Sequence, residues 1–323
     1  MDTLIDLFAS LQADLYEGVL QPIAFAMGLG NRLEDVFNAT GWLLVGLIQL
    51  AIMLVVISPL QRWRPAEVQH DHQAIRTDVL YTLIHRLGVF RLGLFFAVDP
   101  VMDALLAQWR SAGYGTFHLE DLWPGVTDGP WVSFLMYLVV FDFVNYWLHR
   151  AQHQFNPWWA LHAVHHSQRQ MTQWTDNRNH LLDDLLQAIV WVLVAQLIGI
   201  APSQYVAVIA LTQLSENFQH ANLRFALGRW ARFLWVSPAF HRTHHAIGIG
   251  HESPGQVLGG HNFGVLLPWW DMLFGTADFS DRYPATGIRD QVEAGRDYGK
   301  GFWAQQKLGM KRFILAWRHS SSP

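Results

Sequence analysis

Three histidine clusters carry the chemistry legible in this chain: His149-x3-His153, His162-x2-His165-His166 and His241-x2-His244-His245. On an α-helix, residues three and four apart share one face, with Cβ atoms about 5–6 Å apart. The first cluster therefore presents two imidazoles in one direction, and each of the others presents three. Neutral imidazole is a ligand for iron, zinc and copper. Eight convergent histidines exceed the ligand set of one four-coordinate zinc, so the spacing points to two metals. A zinc hydrolase is disfavoured, because no His-Glu-x2-His pattern occurs. A bis-histidine haem would need single histidines facing each other, whereas these are clustered.

Apolar runs must position those clusters. The 323 residues are 51 % hydrophobic and only 15 % charged, with 16 Trp and 20 Phe. Soluble domains carry about 25 % charged residues, so much of this surface is expected to avoid water. Residues 42–57, with flanks from 40 to 60, are long and apolar enough to cross a bilayer. A weaker run over 79–98 contains His85, Arg86 and Arg91, which it must hide from lipid. Residues 131–148 are apolar except for Asp142 and Asn145, and 185–200 followed by 203–214 reads as a tight helical hairpin around Ala201-Pro202. Arg32 is the one cation in residues 1–39 and Arg110 the one in 99–130, while Arg62, Arg64, Arg76, Arg150, Arg169 and Arg178 flank the other ends of the runs. The positive-inside rule then puts every histidine cluster on the cytoplasmic side. About four transmembrane helices are expected, with the N-terminus outside and the C-terminus in the cytoplasm.

The rest of the composition excludes other classes. With no cysteine, disulfides, thiolate metal sites, Cys-ligated iron–sulfur clusters and a Cys nucleophile are ruled out, so electrons for the metals must come from another protein or domain. A net charge of −4 with no basic stripe argues against nucleic acid. The acidic, Lys- and Arg-free start does not resemble a cleavable secretory signal. The tail over 302–317 suits a basic amphipathic helix, lying on an anionic leaflet or docked on the cytoplasmic domain. A short internal repeat is also visible. A membrane helix runs into His149-x3-His153 and then His162-x2-His165-His166; a second runs into Glu216-x3-His220 and then His241-x2-His244-His245, with Glu216 standing where His149 stands.

These motifs resemble the fatty acid hydroxylase / sterol desaturase superfamily. Asp142-x3-Tyr146-x2-His149-Arg150-x2-His153 is similar to its first box, Leu161-His162-x2-His165-His166-Ser167 to its second, and Ser237-Pro238-x2-His241-Arg242-x-His244-His245 to its third. Asn262-Phe263-Gly264 and Trp270-Asp271-x2-Phe274-Gly275-Thr276 resemble its closing stretch. The resemblance implies an all-α integral membrane protein with a cytoplasmic helical cap holding two Fe ions, zinc being a possible substitute in purified protein. It further implies that O2 and an external electron donor serve to hydroxylate or desaturate a lipid or sterol, at the cytoplasmic face of a bacterial inner membrane. Metal ligands are then His149, His153, His162, His165, His166, His220, His241, His244 and His245. Asp142 is expected to fix an imidazole from behind, Glu216 to ligate or to accept from a ligand, and His180 to approach the site. The alternative is a non-catalytic lipid-binding membrane protein stabilised by metals. The expected organisation is an N-terminal membrane region (1–130), a catalytic region (131–276) and a cytoplasmic tail (277–323).

Overall fold

The structure is a computed structural model and describes residues 2–97, 99–280 and 282–320. Val98, at the end of the second apolar run, and residues 321–323 of the tail fall outside that description. Helices dominate. Among the described residues the one sheet is a two-residue antiparallel pair, β1 (Glu252–Ser253) with β2 (Val257–Leu258).

The helices that build the site are α1 (Leu33–Ile52), α2 (His72–Arg86), α3 (Val89–Ala97), α4 (Pro130–Gln154), α5 (Asn156–His166), α6 (Leu181–Ile198), α7 (Pro202–Gln219), α8 (Pro238–His244) and α9 (Phe302–Ser320). α1 is part of a longer rod, Gly30–Trp63. Local sequence explains several boundaries. Pro130 and Pro202 occupy the first turns of α4 and α7, where the missing N–H costs nothing. Gly199, at φ 67°, caps α6 in the left-handed region, and Pro202 restarts the chain in the opposite sense. The 25 residues of α4 span about 38 Å at 1.5 Å each. A hydrocarbon core of about 30 Å therefore leaves its last turn or so, with His149 and His153, at the interface.

Among the described residues three helices are long and apolar enough to cross a membrane: Gly30–Trp63, α4 and α6. This differs from the four expected, and four crossings would also leave both termini on one side. The chain instead makes five helical passes. The end of the Gly30–Trp63 rod meets the end of α7, where Arg224 N–H donates to Arg64 C=O (2.8 Å) and Asn222 Oδ1 accepts from Ala66 N–H (3.1 Å). At the other end, Phe117 N–H donates to Leu197 C=O (3.0 Å). The rod, α2 with α3, α4, α6 and α7 thus alternate in direction. The second pass is broken between α2 and α3. Its cation Arg86 is 4 % exposed and bonds Gln213 (2.7 Å) and Asn217 (2.9 Å), with Asp176 at 3.5 Å; this is how a buried charge is tolerated there.

The tail helix α9 docks on protein. Gln306 donates to Tyr81 Oη (3.0 Å) and to Asn179 C=O (3.0 Å), and its own carbonyl accepts from His180 Nε2 (2.9 Å). α1 packs so closely on α2 that a Cβ at Gly46 would collide with the Arg86 carbonyl. Gly46→Ala should therefore cost about 1–3 kcal/mol by overpacking. Thermal unfolding in detergent checks this, and an unchanged midpoint would show that the two helices separate freely.

Candidate metal centre

The structure gathers the nine sequence-assigned histidines into two adjoining sets. His149, His153, His162, His166 and His244 form one; His165, His220, His241 and His245 form the other. Within each set the ligand-capable atoms all lie within 4.8 Å of one another. None of the nine is more than 9 % exposed. α4 delivers His149 and His153 from its last turns, α5 delivers His162, His165 and His166, His220 follows α7, and α8 with its cap delivers the last three.

Second-layer groups set the orientation of several rings. His149 Nδ1–H donates to Phe263 C=O (2.9 Å) and His244 Nδ1–H to His261 C=O (2.8 Å). Both carbonyls flank Asn262, whose backbone sits in the left-handed region at φ 60°, a conformation asparagine tolerates better than most residues. Its side chain fixes that turn by donating to Phe240 C=O and Asp278 C=O (2.9 Å each). The Asp271 carboxylate accepts from the Phe263 and Gly264 amides (2.9 and 2.6 Å). His162 Nδ1–H donates to Asp183 (3.1 Å), and His220 Nδ1–H to Glu216 C=O (2.8 Å). In these four rings Nδ1 carries the proton and Nε2 is left with a lone pair facing the cluster.

Imidazole nitrogens crowd one another across the cluster, and every such contact that is a hydrogen bond leaves the donor ring's Nδ1 buried without a partner. His220 Nε2 lies 3.1 Å from His165 Nε2 and 2.9 Å from His241 Nε2, and His244 Nε2 lies 3.2 Å from His166 Nε2. Both ring nitrogens of His153 and of His245, and Nε2 of His162, are buried without a hydrogen-bond partner. Two ligands about 2.0–2.1 Å from a shared ion stand about 3.0–3.4 Å apart, so the spacing and the donor set fit a metal. Burial, reinforced by neighbouring imidazoles, holds His165, His166, His241, His244 and His245 well below the ordinary histidine value. Burial also brings His220 down to about 4. The rings are neutral, as metal ligation requires.

The two sets mirror the internal repeat. His149, His153, His162 and His166 correspond by spacing to Glu216, His220, His241 and His245, and the middle histidines of the two His-x2-His-His boxes are exchanged: His244 joins the first set and His165 the second. The second set lacks a fifth imidazole because Glu216 stands at that position. The Glu216 carboxylate is not gathered with the imidazoles; it lines a cavity that also reaches His149, His162, His165, His220 and His241.

Two expectations are corrected. Asp142 touches no imidazole: its carboxylate accepts from the Leu266 and Leu267 amides (2.7 and 3.1 Å) and Trp270 Nε1–H (2.9 Å), pinning the 262–271 loop to α4. His180 is a helix cap, its Nδ1 accepting from Leu182 N–H (3.1 Å) while Nε2 binds α9, so both ring nitrogens are engaged and it joins neither histidine set. Asp183 was missed. It accepts from His162, Gln152 and Trp158, and the signal for it was an Asp183-Asp184 pair opening an otherwise apolar helix. The cavity, about 210 Å³, runs from the imidazoles along α4 to Asn145 and along α1 to Trp42 and Val45, back among the membrane helices.

The fatty acid hydroxylase family model matches residues 134–276. Ornithine lipid hydroxylase OlsE of Rhizobium tropici is 26 % identical over 78 % of this chain and 71 % of its own length. Alkylglycerol monooxygenase of Homo sapiens is 28 % identical over 76 % of this chain, which spans 49 % of that relative. Delta(7)-sterol-C5(6)-desaturase of Nicotiana tabacum is 28 % identical over 62 % of this chain and 68 % of its own length. No solved structure matches the chain at a significant level. The chain is thus similar to lipid hydroxylases and a sterol desaturase, and the segment that the fatty acid hydroxylase family model matches is the one that folds here around nine imidazoles.

Proposed function

We propose that the chain is a membrane-bound di-iron oxygenase that hydroxylates a C–H bond of a lipid or sterol with O2 and electrons from an external donor. The observation that carries this reading is the convergence of buried, neutral imidazoles on two adjoining points at the end of a cavity between membrane helices. In it His149, His153, His162, His166 and His244 hold one iron, and His165, His220, His241 and His245 the other. Iron so held supplies the change of oxidation state that O2 chemistry requires and zinc lacks. Asn262 and Asp183 keep the ligand rings aimed. The cavity lets a lipid approach from the bilayer past Trp42 and Val45 without crossing water. Hydroxylation is favoured because two of the three relatives described above are a hydroxylase and a monooxygenase. The arginine distribution supports a site on the cytoplasmic face of a bacterial inner membrane.

Lipid extracts of cells making the protein should contain a species heavier by one oxygen, absent with His244→Ala although that variant still inserts in the membrane. A lipid profile that is identical with and without the protein, under aerobic and iron-replete growth, overturns the reading.

Asn262→Ala should weaken metal retention by about 10–100-fold, the usual effect of removing an outer-shell partner, while Asn262→Gly, which keeps the left-handed backbone accessible, should lose less. Chelator competition measures both. Glu216→Gln keeps size but removes the ionisable carboxyl beside the four-histidine set. Turnover should fall about 10–100-fold with both metals retained, and near-normal turnover would make Glu216 simple cavity lining.

A further inference from the structure

Trp159 lies on a side of the histidine cluster that the substrate cavity does not reach. Its indole centroid is 5.0 Å from the His153 ring and 5.3 Å from the His166 ring. It also stacks on His251, 5.2 Å away with the planes 15° apart. His251 is 1 % exposed, and neither of its ring nitrogens has a hydrogen-bond partner; the Glu252 carboxylate stands 3.7 Å from Nε2.

Trp159 and His251 line a second cleft of about 680 Å³, whose rim includes the exposed residues Gln256 and Glu293. The two cavities share no residue. The substrate cavity follows α1 and α4 back into the membrane layer, whereas the cleft starts at Gln154, the last residue of α4, and is completed by the loop around β1 and β2 and by the helix Arg289–Glu293. The cluster therefore has a lipid face and a separate face beyond the helix ends.

The oxygenase reading, on which this inference rests, needs two electrons and two protons per turnover: one oxygen atom enters the C–H bond and the other leaves as water. With no cysteine in the sequence, these residues hold no Cys-ligated cluster to store the electrons. Electron transfer weakens steeply with the width of the gap it must cross, so an aromatic ring that adjoins both the cleft and the ligand rings shortens it; Trp159 does so at His153 and His166, and His251 at His166, 5.9 Å between centroids.

We propose that the cleft seats a one-electron carrier protein and that Trp159, with His251, passes its electrons to the five-histidine set. Each transfer oxidises the carrier by one electron and reduces the centre by one. No bond forms or breaks at Trp159, and no proton is held there. The competing role is packing, with Trp159 only shielding His153 and His166 from water.

The absence of cysteine allows a test that does not depend on the identity of the carrier. Gln256→Cys creates a single thiol on the cleft rim for a ruthenium tris-bipyridine photoreductant, and flash photolysis of the iron-loaded full chain reads reduction of the ferric centre by absorbance. Adding Trp159→Leu should slow that reduction by about tenfold, while Trp159→Phe, which keeps a ring, stays within about threefold of the parent. Iron content and final reduction by dissolved dithionite should be unchanged in all three. Equal flash rates in the Trp159→Leu and parent proteins overturn the route, and so does loss of iron in both Trp159 variants, which makes the residue packing. If light reduces the centre through Trp159 while added lipid stays unoxidised, the oxygenase reading fails and the route stands.

Discussion

Nine imidazoles directed into one buried volume are the constraint on which the rest of the structure depends. An unpartnered buried polar atom costs about 1–3 kcal/mol, and here both nitrogens of His153 and His245 and one of His162 are in that condition. A few such penalties approach the whole stability of a domain, about 5–15 kcal/mol. Where ring nitrogens do meet near 3 Å, as at His165, His220 and His241, the Nδ1 of His165 and of His241 is left unpartnered. Packing alone does not repay this arrangement, whereas a cation shared between the lone pairs converts each penalty into a bond.

The fold around the cluster serves to fix ring orientation. His149 and His244, on different helices, are aimed by the two carbonyls flanking a single left-handed asparagine. That loop is in turn held by two buried carboxylates, Asp271 from within it and Asp142 from α4. Asp142 thus does act on the site, but through the loop backbone and at one remove from the histidines. Farther out, Arg178 binds Asp78 (2.6 Å) and Arg86 binds Asn217 and Gln213, tying α2 to the segment that follows α5 and to α7. Charges that would be costly in lipid are spent in the layer that joins the helix ends.

Much of this was legible in the sequence because the ligands are local repeats. A pattern such as His-x2-His-His specifies its own face once the helix forms, and the turns at Pro130, Gly199 and Pro202 are set by backbone chemistry that any context preserves. What could not be read depended on contacts between distant segments. His180 was expected beside the site while Asp183, three residues on, went unnoticed, and only the hydrogen bonds of each, His180 to Gln306 of α9 and Asp183 to His162, separate a cap from a ligand support. The partners of Arg86 were likewise out of reach, because Gln213 and Asn217, which let the 79–98 run bury that cation, lie on a helix more than a hundred residues later.

The repeat also explains why the two halves of the centre are unequal. A strict duplication exchanging its middle histidines would give each set five imidazoles. Glu216 breaks that equality, and it does so on the wall of the cavity that runs toward the membrane. The opposite flank, against His153 and His166, is closed by Trp159. The cavity touches both sets, His149 and His162 of the one and His165, His220 and His241 of the other, but its carboxylate Glu216 belongs by spacing to the set of four, while the indole contacts only the set of five. A single substitution in a duplicated ligand pattern is enough to give a near-symmetric site two distinct faces.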